Sequence, residues 1–243
     1  MTWNNYKYRF LPWLIFNIKE QLAPLNKNIQ KYETLSPSHL KNSVIDVLKK
    51  LNPHLDYKQN NDLLAKHFGF RLKVADSDQR HGVGVYVSSG SVSPGQVVAL
   101  YPGTVYHPGD PVFLQSLFNP YILRCKDGIM IDGKSYGLSG SFFKSISHRD
   151  RYPDATWLRK NRATPCNPLN IGQLINNGGD KRANVTYTEC NWDLNVNFRL
   201  NYLIPNVFYN HIHSNIIRIV PIVAVKEISV GEELLSTYFT LIE

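Results

Sequence analysis

From about Arg71 onward the apolar residues come in short runs, each broken by Gly, Pro or Asn, and this punctuation constrains the chain more than any other feature. Short apolar runs between turn formers predict strands. Val83–Val87 and Val97–Tyr101 are expected as two strands joined across Ser91–Gly95, with Pro94-Gly95 as the turn. Tyr121–Cys125, Ile129–Ile131, Ile216–Val225 and Leu234–Phe239 continue the series. Short helices are expected after Asp110-Pro111 and Asn167-Pro168, because proline suits a first helical turn. The Ile216–Val225 run alternates poorly, which predicts a strand buried on both faces; Pro221 removes one ladder donor, so a bulge or an edge position is expected there.

Residues 1–70 follow a different period. Ser36 can cap a helix and Pro37 suits its first turn, while Leu40, Val44, Val47, Leu48 and Leu51 share one face. Asn61 is expected to cap a second helix carrying Leu63, Leu64 and Phe68, with Gly69 ending it. This part is also the basic one. Residues 1–73 hold 12 Lys or Arg against 5 Asp or Glu, and the rest of the chain 15 against 14. Such asymmetry marks either a solvated helical face or a surface for nucleic acid or an acidic partner. With 243 residues, 43% of them hydrophobic, there is enough material for one packed domain and an extension.

The 3 cysteines, Cys125, Cys166 and Cys190, have no C-x-x-C spacing, so neither a disulfide framework nor a structural zinc site is encoded, and a reducing compartment is expected. The apolar stretch Phe10–Phe16 is far short of the roughly 20 residues that span a bilayer. It is read as an anchor docked on the domain, with a mitochondrial address as the alternative. The location is read as intracellular, nuclear or cytoplasmic.

Three separated segments carry a pattern. His81-Gly82-Val83-Gly84-Val85-Tyr86 precedes Leu100-Tyr101-Pro102-Gly103-Thr104; Ile175-Asn176-Asn177 follows; Gly231-Glu232-Glu233-Leu234 with Tyr238 closes the chain. In this order they resemble the G-x-G strand, Y-x-G turn, I-N-H element and closing G-E-E-L-x-x-x-Y signature of the SET domain family. Each motif alone is weak, since G-x-G in a strand is usually a bulge or close backbone approach and Asn-Asn-Gly-Gly a turn. The resemblance covers residues 81 to 239. It implies a fold that is mainly β with short helices, a pseudoknot of small sheets in which the C-terminal segment threads under a loop. In that reading residues 1–70 are a helical N-terminal extension and 71–243 the SET domain, with an insert at about 107–168.

The resemblance further implies S-adenosyl-L-methionine as cofactor and a protein lysine as methyl acceptor. Gly82, Val83 and Gly84 would approach the cofactor's methionine end through their main chain, since the glycines lack Cβ. Asn176 and Asn177 would hold it from the loop, and Tyr238 would orient the amine and the methyl. A turn-stabilising Asn176 and a core Tyr238 are the alternatives. Tyr101 and Tyr106 are secondary candidates for a pocket wall. Departures from the family pattern are Asn177 where it has His, a longer loop before Asn184, and Ser236 and Thr237 where it often has Tyr and Asp. Relatives also often carry a cysteine-rich zinc-binding tail, which is not present here.

Other clusters carry less. His211-x-His213 has metal-like spacing but no evident third ligand, and no metal is assigned. Lys144 to Arg162 is a basic insert, read as solvated. Three functions remain open: a protein-lysine methyltransferase, a non-catalytic SET module serving as a cofactor-binding or protein-interaction scaffold, and a nucleic-acid or ribonucleoprotein adaptor acting through the basic N-terminus.

Overall fold

The computed structural model describes residues 37–78, 82–147, 167–196, 198–210 and 215–237. The Phe10–Phe16 stretch, His81, Cys166, the His211-x-His213 pair and most of the basic insert lie outside them. Helix α1 spans Pro37–Lys50 as its apolar stripe predicts. Leu40, Val44, Val47, Leu48 and, just past its end, Leu51 are buried in the main core, which is what holds the helix against the strands.

Helix α2, Tyr57–Phe68, starts earlier than expected. Asp56 and not Asn61 caps it: the Asp56 carboxylate accepts from Gln59 N at 2.8 Å, and the Gln59 side chain accepts from Asp56 N at 3.1 Å. Asn61 lies inside the helix and is buried. Its amide donates to Leu72 O at 2.5 Å and its oxygen accepts from Leu72 N at 2.9 Å, so a side chain that looked like a cap ties the helix to the first strand. Gly69 ends α2 in the left-handed region, φ 83, as expected.

Strands β1 (Phe70–Asp76) and β2 (Val83–Gly90) form an antiparallel pair. The expected hairpin between Val83–Val87 and Val97–Tyr101 does not form. Strand β3 (Val97–Leu100) belongs to another sheet, of order β3–β12–β8, with β8 Val185–Tyr187 and β12 Pro221–Ala224. The reason is that both edges of β2 are taken. One pairs with β1; along the other, Gly231 N donates to Val87 O, Val87 N to Glu232 O and Leu234 N to Val85 O. Around Pro94-Gly95 the chain does turn, with Gly95 at φ 87.

The Ile216–Val225 run is two strands, not one. β11 (Ile216–Ile219) pairs with β9 (Cys190–Asp193), and β12 begins at Pro221, where no ladder donor is needed. The expected bulge falls between Ile222 and Val223, but β12 is central and not an edge, corrected by its having β3 and β8 on either side.

A four-stranded sheet of order β10–β4–β6–β5 is built from β4 (Gly103–Tyr106), β5 (Ile122–Arg124), β6 (Met130–Asp132) and β10 (Asn206–Phe208). Helices α3 (Phe113–Ser116) and α4 (Gly137–Ser147) accompany it. Tyr106, Val112 and Ile122 form a small cluster apart from the main core. The other expected short helix is a 3-10 turn, Gly172–Leu174. The described chain is therefore mainly β in several small sheets with short helices, and none of its helices is long and apolar enough to cross a membrane.

The connection that matters most is at the C-terminal side. β13 (Leu235–Ser236) runs parallel to β7 (Asn176–Asn177), directly after residues 231–234 have lined the edge of β2. One segment therefore joins strands far apart in sequence. Asn184 grips it, donating to Glu233 O at 2.9 Å and accepting from Leu235 N at 2.8 Å.

Candidate functional site

Where the closing segment crosses β2 and β7, four chain segments meet at one side chain. Glu233, which forms an isolated bridge with Tyr86, is only 7% exposed. Its Oε1 accepts from the Ser77 hydroxyl at 2.8 Å and from Asn176 Nδ2 at 2.8 Å. Tyr86 brings its hydroxyl to 3.3 Å of Oε2 and to 3.0 Å of Asp76 O, while accepting from Asp78 N at 3.0 Å. Burial first, and the Glu233 and Asp78 carboxylates as lesser causes, hold this phenol above its ordinary pKa of 10.0.

Gly84 is glycine because of Glu233. A Cβ there would stand 2.1 Å from Glu233 Oε1 and 3.3 Å from Asn176 Nδ2, far inside contact distance. The space that the sequence pattern offered to a ligand's approach is filled by the protein's own carboxylate. Gly82 is different: at φ 137 nothing among the described residues lies within 4 Å of where a Cβ would be, although its carbonyl accepts from Ser77 N at 2.9 Å. Val83 between them is 42% exposed.

Asn176 spends its amide nitrogen twice, on Val83 O at 2.9 Å and on Glu233 Oε1. Two acceptors fix the orientation of the amide, and its Oδ1 makes no hydrogen bond among the described residues. Asn177 does something local: its oxygen accepts from Gly179 N at 2.6 Å, closing the turn into helix α5 (Gly179–Arg182). Of the residues singled out from the sequence, Val83, Gly84 and Asn176 meet; Asn177 is adjacent but turned to its own loop. Tyr238 lies outside the described residues, which end at Thr237.

Tyr101 and Tyr106 are both buried and engaged elsewhere. Tyr101 donates to Tyr121 O at 2.6 Å, and Tyr106 stacks on Tyr209 with centroids 4.8 Å apart. In the sequence pattern Glu233 and Tyr86 count only as parts of signatures and Asn184 only as the end of a longer loop, and Ser77 carries no mark at all. One signal was available: Glu232 and Glu233 are adjacent, and at a strand entry adjacent side chains point to opposite sides, so one of the two had to face inward.

Compared with known proteins, the chain is 33% identical to human SET domain-containing protein 9 over 289 aligned positions, covering 99% of this chain and 96% of the relative. The chain belongs to the SET domain family. A second SET domain-containing protein 9, from Pongo abelii, is 39% identical over 188 positions, covering 74% of this chain and 68% of the relative. No family model matches. Among solved structures, CpSET8 from Cryptosporidium aligns with 93% of this chain and 89% of its own, at 11% identity and a TM-score of 0.39. SET domain proteins are in general methyltransferases. In this SET domain the junction of Gly84, Asn176 and Glu233 is the place where the G-x-G strand, the Asn loop and the closing signature are locked together.

Proposed function

We propose that the protein binds S-adenosylmethionine beside Gly82–Gly84 and Asn176 and transfers its methyl group to the lysine of a protein substrate. The observation that carries this reading is the Glu233–Asn176–Gly84 junction, in which three motifs far apart in the chain share one set of hydrogen bonds. The residues fit such a cofactor. Asn176 retains an acceptor oxygen, Gly82 leaves space where a side chain would stand, and Glu233 supplies negative charge beside them, all suited to a ligand that carries an ammonium and a sulfonium.

When bound, the cofactor supplies a methyl on a cationic sulfur, which an amine attacks in line. The chain's part is then chiefly alignment. Asn176 is held rigid by its two acceptors and receives the ligand's donor on Oδ1. Gly82 leaves room where a side chain would stand, while its carbonyl and that of Val83 are held by Ser77 N and Asn176 Nδ2. Tyr238 is two residues beyond Ser236, the register partner of Asn177, and its hydroxyl orients the incoming amine. An apolar channel next to positive charge lowers the pKa of a lysine from about 10.4, so the amine loses its proton without a dedicated base.

A scaffold that binds cofactor without turnover is the second reading, and one observation favours it: Asn177, standing where the family has His, is consumed by its own turn. Calorimetric titration of the whole chain with S-adenosylmethionine tests binding, and saturation at 100 times the dissociation constant should add about 2.7 kcal/mol of apparent stability. Labelled-methyl transfer to cell-extract proteins then separates enzyme from scaffold. Tyr238→Phe should leave binding intact and lower transfer by roughly a hundredfold, the scale of losing one preorganised donor. Equal activity in the Phe variant refutes the role given to Tyr238.

A further inference from the structure

Glu233 is a buried carboxylate whose donors among the described residues are all neutral. The ion pairs among the described residues join Arg71 to Asp62 and Arg218 to Asp127 and Glu189, and none reaches Glu233. The Lys73 ammonium lies 6.0 Å from the Tyr86 ring centre and forms no ion pair with Glu233 either. Holding a charge out of water without a counter-charge is unfavourable. The hydrogen bonds alone do not demand it, because a glutamine oxygen would accept from Ser77 and Asn176 equally well and its amide could donate to the Tyr86 oxygen. A charge kept at such a position is best matched by a cation that arrives with a ligand.

We propose that Glu233 is a specificity-determining residue: its carboxylate makes the site favour the cationic sulfonium cofactor over the neutral thioether that remains after transfer. The inference rests on the cofactor reading above. Methyl transfer breaks the sulfur–carbon bond and leaves its electron pair on sulfur, so cofactor and product differ only in the methyl group and in one positive charge. Their amino-acid and adenosine parts are the same. The ratio of the two affinities therefore isolates what Glu233 contributes electrostatically from what it contributes by holding Asn176 in place, which affects both ligands alike. Glu233 also stands against Gly84 and Asn176 with no water-sized gap for a Cβ, so its charge is poorly screened on that side.

The test is calorimetric titration of the whole chain with S-adenosylmethionine and with S-adenosylhomocysteine, for the unsubstituted protein, Glu233→Gln and Glu233→Asp. In Glu233→Gln the affinity ratio should fall roughly fivefold or more toward the product, the size of one charge acting across several ångströms of mixed dielectric, while Glu233→Asp keeps most of the ratio. If Glu233→Gln does not fold, the unsubstituted protein and Glu233→Asp decide: both keep the carboxylate, and both should bind S-adenosylmethionine several-fold more tightly than S-adenosylhomocysteine. An unchanged ratio in a folded Gln variant, or equal affinity for the two ligands in the unsubstituted protein where the Gln variant does not fold, overturns the inference and leaves the cofactor reading standing. So does an equal loss for both ligands, which means positioning alone. Failure of the unsubstituted chain to bind either ligand overturns both.

Discussion

Glu233 and Asp132 are both carboxylates withdrawn from solvent, 7% and 2% exposed, yet they are held in opposite ways. Both Glu233 oxygens are engaged, by donors from the β1–β2 turn, from β2 and from β7, and the longest of these contacts spans 156 positions of sequence. At Asp132 everything falls on one oxygen. Oδ1 accepts from Asn119 at 2.8 Å and from Lys134 N at 3.1 Å, while Oδ2 makes no hydrogen bond. Asn119 is also buried; its amide nitrogen faces Gln115 O at 2.8 Å and Ser139 Oγ at 3.2 Å, and its oxygen accepts from Tyr121 N at 3.0 Å. The first arrangement joins distant motifs into one site. The second pins a local loop, whose outer side presents Leu114 at 63% and Phe118 at 92% exposure, with Phe118 at φ 51.

The sharpest way to break the first arrangement is Gly84→Ala. The added methyl would stand 2.1 Å from Glu233 Oε1 and 2.8 Å from its carboxyl carbon, so the carboxylate must leave and the donors lose their acceptor. Overpacking and unsatisfied polar groups together should cost about 3 kcal/mol in a urea titration. Adding Glu233→Ala clears the space, so Gly84→Ala should cost much less in that background than alone. Additive costs in the double variant would show that the carboxylate has somewhere else to go.

Asn119→Ala is the matching test of the second arrangement and should cost less, about 2 kcal/mol, because it strips hydrogen bonds from a single loop. A left-handed φ at a bulky residue persists only where neighbours over-determine it, so protease cleavage near Phe118 should also increase. Cofactor titration should be unaffected. A change in cofactor affinity would mean that the two regions are coupled and that their contrast is overdrawn.

These two regions also mark how far sequence reasoning reaches. Helix α1 was legible because a 3.6-residue stripe states both the element and its buried face, and Leu40 to Leu51 did so without competing signals. The strands were mostly legible as strands. Their partners were not, since alternation names a face and never a neighbour. Adjacency in sequence argued for a β2–β3 hairpin, whereas β2 takes its second edge from residues 231–234 and β3 takes β12. The order of motifs pointed to the family and grouped Gly84 with Asn176. It could not reveal why Gly84 lacks a side chain, because the atom that forbids one belongs to a glutamate at the other end of the chain. Asn61 misled for a related reason: an asparagine ahead of an apolar run resembles a cap, and only the position of Leu72 shows what its amide is for.

The smallest expected effect comes from Asp132→Asn, and its sign is informative. Burial, only partly offset by Ser139, Asn119 and Lys134, raises this carboxyl above its ordinary 3.8 in the folded protein. As pH falls from neutral, the folded state takes up the proton before the unfolded state does, so more protons are bound in the folded form across that window. Stability contributed by this group is fully present below 3.8 and is lost as pH rises through the folded value. That is the reverse of the usual paired carboxylate. Asparagine cannot titrate, so the stability of the unsubstituted protein minus that of Asp132→Asn should grow as pH is lowered toward about 4, whatever the other carboxylates do, since both proteins share them. At neutral pH the two should lie within about 1 kcal/mol, because the variant removes a poorly solvated charge while keeping an oxygen for Asn119 and Lys134. Denaturant midpoints taken from about pH 7 to about pH 4 read this difference directly. A flat difference would show that Asp132 is better satisfied than its bare Oδ2 implies, and would bring the two carboxylates closer together in kind.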